Sequence, residues 1–117
     1  MTYDWDFEIS FYERLVKEKP LFVDALIPLA EAYTRKGLYR KGLKVDKLLS
    51  KLCKDDPIIH YNLACSYALL GHKKSALRAL AEAIRLGYRD LGYLRRDPDL
   101  KNLHQDSKFQ KLVANLK

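Results

Sequence analysis

Five residues recur at one fixed interval: Leu29, Ala30, Tyr33, Gly37 and Leu43 return as Leu63, Ala64, Tyr67, Gly71 and Leu77, each pair 34 residues apart. Self-similarity at such a period constrains a chain more than any single motif, because each unit must bury its apolar face against a neighbouring copy. Within each copy the apolar positions step by three and four, and the glycine interrupts them, which dictates a helix, a tight turn and a helix. Gly37 and Gly71 sit where such a turn suits a left-handed backbone, a conformation that costs glycine least.

The pattern extends in both directions. Residues 1–19 read as a half unit: Trp5, Ile9, Tyr12, Leu15 and Val16 run at helical steps, Asp4 is placed to accept from free amides, and Pro20 closes the segment. The first full unit covers 20–54, with an inner helix over 21–36 and an outer one over 39–53. The second covers 55–88 and opens on Asp56-Pro57, an N-cap followed by a residue pre-set for the first helical position, with helices over 57–70 and 73–86. Residues 89–117 lose the period. There Asp97 and Asp106 are placed to cap short helices, and Leu100, Leu103, Phe109, Leu112, Val113 and Leu116 supply an apolar side that covers the end of the array. Pro28 falls inside the first inner helix, where it removes a donor and tends to kink the chain. The alternative is a helix that starts near Ile27, with Pro28 in its tolerated first turn.

The spacing and residue types, Leu-Ala-x-x-Tyr, then Gly, then a small residue and Leu, resemble the tetratricopeptide repeat. The resemblance implies an all-α fold: a right-handed α-α superhelix, or solenoid, of about three helix-turn-helix units in one domain over 1–117, with a degenerate C-terminal cap. It implies a non-catalytic protein–protein interaction scaffold that holds a peptide or helix of a partner in a concave groove lined by the inner helices. Carried over residue by residue, the groove positions are Asp24, Ile27, Glu31 and Arg35, then Tyr61, Asn62, Cys65 and Leu69, with Arg95 or Arg96 at the far end. Some members hold the acidic C-terminus of heat-shock chaperones with a clamp of Lys, Asn and Arg. Asn62 and Arg96 match that clamp, but Ile27 and Glu31 stand where it needs Lys and Asn, and Glu31 repels a carboxylate.

Charge marks a second surface. The chain carries a net charge of +7, and residues 35–54 account for all of it, with Asp46 as the one acid among their basic side chains. Arg40, Lys44, Lys47, Lys51 and Lys54 follow steps of four and three, which sets them along one face of the outer helix as a basic ridge. Such a ridge is either a solvated outer face or a contact for an acidic protein, RNA or an anionic membrane surface. No aromatic stacking platform is interleaved with it, which argues against nucleic acid. A third reading is self-association into a homo-oligomer, because the half unit leaves Trp5, Phe7 and Phe11 as apolar surface for a second copy.

Chemistry finds no foothold. His60, His72 and His104 are scattered, with no partner at a metal-ligand spacing, and neither a Gly-rich phosphate loop nor a nucleophile motif is present. No catalytic residue, metal or cofactor is expected. Cys53 and Cys65 form no Cys-x-x-Cys pair and read as free thiols, with Cys65 an inert small residue on the groove side. No apolar run approaches the roughly 20 residues of a membrane span, and the opening residues lack a signal-peptide pattern. The expected location is a reducing cytoplasm.

Overall fold

A computed structural model describes residues 3–116, and all regular structure among them is helical. The chain divides after Lys54 into two compact units. The first holds α1 (Trp5–Glu18), α2 (Val23–Lys36) and α3 (Tyr39–Leu52); the second holds α4 (Pro57–Leu69), α5 (Lys73–Arg85), α6 (Leu91–Arg96), a 3-10 turn (Pro98–Leu103) and α7 (Ser107–Ala114).

In the first unit α1 starts at its cap, where the Asp4 carboxylate accepts from the Phe7 amide at 3.0 Å. Ile9 of α1 is buried in one cluster with Leu29, Ala32 and Tyr33 of α2, and Trp5, Tyr12, Val16 and Val45 pack against it. Polar ties flank this cluster: the Tyr33 hydroxyl donates to Glu13, and Lys36 approaches Asp6 at 2.9 Å. Helix α2 begins at Val23, two residues later than the periodicity suggests, and Pro28 lies in its interior. The late start near Ile27 is therefore incorrect. The Phe22 carbonyl already accepts from the Ala25 and Leu26 amides, so the first turn forms ahead of the proline. Pro28 costs only the bond its amide would give to the carbonyl of Asp24, an exposed residue where water can substitute.

Both repeat glycines end their helices in the same way. Gly37 has φ +90° and Gly71 has φ +79°. The following amides, Leu38 and His72, return to the Tyr33 and Tyr67 carbonyls at 2.8 and 2.9 Å, a six-to-one closure that satisfies the helix end. A smaller residue does a different job one turn into the next helix. A Cβ on Gly42 of α3 would meet Thr34 Oγ1 of α2 at 2.8 Å, so hydrogen alone fits between the helices. The equivalent position one repeat later is Ala76, fully buried on α5.

In the second unit Asp56 caps α4 by accepting from the Ile58 amide at 2.9 Å. α4 packs on α5 and also on the 3-10 turn, so it is covered on two sides. Asp90 caps α6, Asp97 caps the 3-10 turn and Asp106 caps α7. Leu94, Leu100 and Leu103 are fully buried, and burying one leucine side chain is worth about 1.5–3 kcal/mol. Residues beyond Gly87 thus belong to the core of this unit.

Candidate interaction surfaces

Helix α2 carries a bare stripe. Asp24, Ile27, Glu31 and Arg35 follow steps of three and four, which lines them along one face, and all four are exposed, Ile27 at 40%. Arg35 Nε lies 3.6 Å from Glu31. The stripe therefore offers an acid with no partner among the described residues, an apolar side chain and an ion pair.

The corresponding face of α4 is different, and two of its expected groove residues are corrected. Tyr61 is only 5% exposed: its ring stacks on Tyr88, with centroids 4.4 Å apart and planes 6° from parallel, and its hydroxyl donates to Asp97. Cys65 is buried beside it, its thiol 3.7 Å from the same carboxylate. The Asp99 amide gives Asp97 a third donor at 2.9 Å, and Asn102 Nδ2 donates to the Ala68 carbonyl at 2.7 Å. The 3-10 turn thus lies over the stripe and makes core of it. Leu69 is half-buried, while Asn62 stays exposed, as does Arg96, whose guanidinium sits 5.8 Å from the Tyr93 ring centre. A repeat pattern read along α4 holds no information on which non-repeating residues will cover it.

Electrostatics follow from this burial. Loss of solvent pushes the Tyr61 hydroxyl far above the ordinary phenol range, with the neighbouring Cys65 and the bond to Asp97 adding to it. Burial raises Tyr88 to about 12, against the Tyr61 hydrogen bond, which lowers it. Burial also pushes the Cys65 thiol well up, and the Asp97 charge adds to the effect. The sequence showed no metal-ligand spacing, yet folding brings ligand atoms of Cys65, Asp97 and Asp99 within 4.8 Å of one another. A metal ligand or nucleophile must be a thiolate. Burial and the Asp97 charge disfavour that form here, and Asp97 already accepts from a hydroxyl, a thiol and an amide.

On α3, Arg40, Lys44, Lys47 and Lys51 are exposed. None of these four side chains has an ion pair or hydrogen bond among the described residues. One correction applies to the ridge: Lys54 lies beyond the helix, which ends at Leu52, and has an interaction of its own. Asp46, the one acid of the stretch, is 4% exposed and stands where the second repeat has the fully buried Leu80. On α1, Phe7 and Phe11 are exposed, Phe7 at 68%. Trp5 is not part of that surface, because it packs on the Ile9 cluster.

No helix among the described residues is long and apolar enough to cross a membrane. No family model matches the chain. Over 84 residues, 69% of its length, the chain is 33% identical to a curated protein of Arabidopsis thaliana that is described as chloroplastic. It spans about a quarter of that relative's length.

Proposed function

We propose that this chain is a tetratricopeptide-like helical-repeat scaffold, non-catalytic and free of cofactors, that binds a peptide or helix of a partner protein. The repeated helix-glycine-helix hairpins support the architecture, a right-handed α-α solenoid. One observation carries the binding role. The stripe formed on α4 by Tyr61 and Cys65 is occupied by the chain's own Asp97–Leu103 stretch, whereas the same repeat positions on α2, Ile27 and Glu31, are exposed. A face of this kind takes a short folded segment in one unit and offers itself to one in the other. An apolar Ile27 between Asp24 and the Glu31–Arg35 pair suits an amphipathic segment rather than a uniformly acidic tail.

Site-specific photo-cross-linking tests this reading in an extract of the source cells. A cross-linker at position 27 should capture a discrete partner polypeptide, and one at position 78 on exposed α5 should not. Equal capture from both positions, or none from position 27, overturns it. For location we propose a reducing compartment, since both cysteines are free thiols. The cytoplasm and the chloroplast of the relative's description are the two candidates, and a fluorescent fusion separates them.

A further inference from the structure

We propose that the outward face of α3 docks an acidic α-helix of a partner protein, one whose carboxylates recur at alternating steps of four and three. This goes beyond the α2 surface and does not depend on it. Arg40, Lys44, Lys47 and Lys51 step by four, three and four, which at 100° per residue keeps them within a sector of about 60°. The buried residues of the helix, Gly42, Asp46 and Leu49, lie on the other side. Like charges at four-residue spacing destabilise a helix. Here they stand together, exposed and without ion-pair partners among the described residues, so their mutual repulsion is uncompensated by a paired acid there.

The missing counter-charge has to come from outside the chain. Most acids at and in α1 are already committed: Asp4 caps, Asp6 meets Lys36, Glu8 accepts from Tyr3 and Glu13 accepts from Tyr33, which leaves Glu18 alone and no row of carboxylates to match the ridge. A second copy presenting α1 is therefore a poor occupant. Register fits another helix. The four cations span eleven helical steps and recur about every 5.5 Å along the axis, close to the roughly 5–6 Å between same-face side chains of another helix. The ridge also holds no aromatic ring on which a base could stack.

The test uses the full chain and two synthetic alanine-rich peptides of identical composition, each held helical by a staple. One places its glutamates at alternating four- and three-residue steps; in the other they are scattered around the helix. The matched peptide should bind at least about tenfold more tightly. Lys44→Glu, Lys47→Glu and Lys51→Glu together should abolish the difference, while Lys73→Glu with Lys74→Glu on α5 should preserve it. If the triple reversal unfolds the chain by circular dichroism, Lys44→Gln with Lys51→Gln serves in its place and should weaken the preference. Equal binding of the two peptides overturns the proposal, as does a preference that survives the ridge variants. Tighter binding of a duplex RNA than of the matched peptide at the same ionic strength overturns it in favour of a phosphate backbone.

Discussion

The Tyr61 hydroxyl donates to the Asp97 carboxylate across 36 residues of chain, and Asp97 in turn starts the 3-10 turn that covers Tyr61. The acceptor of the buried bond and the cap of the covering element are one side chain. Replacing Asp97 by Ala should strand a buried hydroxyl and a thiol and uncap the turn together. We expect a loss of about 2–4 kcal/mol, read as a lower denaturant midpoint. Asp97→Asn, which keeps an acceptor oxygen, should lose less.

Alkaline pH provides a second check. Tyr61 and Tyr88 both have folded-state pKa values above the ordinary 10, Tyr88 at about 12. Below pH 10 both phenols are neutral in the folded and unfolded chain, so their contribution is intact. As pH rises past 10 the unfolded chain releases protons that the folded chain keeps, and stability falls until the folded groups titrate. Midpoints measured at pH 9 and about pH 11 should show this decline, and Tyr61→Phe should lessen it, with Tyr88 and Tyr33 supplying the rest.

The two thiols should differ in reactivity. Cys65 is buried and held protonated, whereas Cys53 is half-buried at the end of α3. A thiol reagent should label Cys53 in the native chain and reach Cys65 only when the second unit opens. In Asp97→Ala the Cys65 rate should rise toward that of Cys53. Labelling of Cys65 at the Cys53 rate in the unaltered chain would show that the 3-10 turn does not seal it.

Gly42 and Thr34 allow a coupling measurement. Alanine in a helix interior is favoured over glycine by about 1 kcal/mol, yet a Cβ at position 42 meets Thr34 Oγ1 at 2.8 Å. Gly42→Ala alone should destabilise. Combined with Thr34→Ala it should recover most of the loss, giving an interaction energy of about 0.5–3 kcal/mol in a double-mutant cycle. Additive single effects would place the contact elsewhere.

What was legible in the sequence was what repeats or caps. The 34-residue interval marks the hairpins because Gly37 and Gly71 end their helices in one way, and Asp4, Asp56, Asp97 and Asp106 cap where short acids precede apolar steps. The α2 stripe is exposed. The fate of Tyr61 and Cys65 was hidden, because their cover comes from residues outside the period, and a tyrosine that lines a surface is written no differently from one that lines a core. Asp46 was counted only as the one acid of a basic stretch, and nothing in that count shows that the helix phase turns it inward beside Leu49.

That α4 is completed from beyond α5 and α6 also sets a timetable. A ribosome adds about 5–20 residues per second, so the Asp97 carboxylate reaches Tyr61 some 2–7 s after Tyr61 itself is made. Once Arg85 is made, for the last third of that interval, the α4–α5 hairpin is long enough to form, with its aromatic and thiol-bearing side uncovered in a crowded cell. How long the hairpin stays unsealed depends on translation speed through residues 86–103, a quantity written in codon choice and invisible to any measurement on the finished chain.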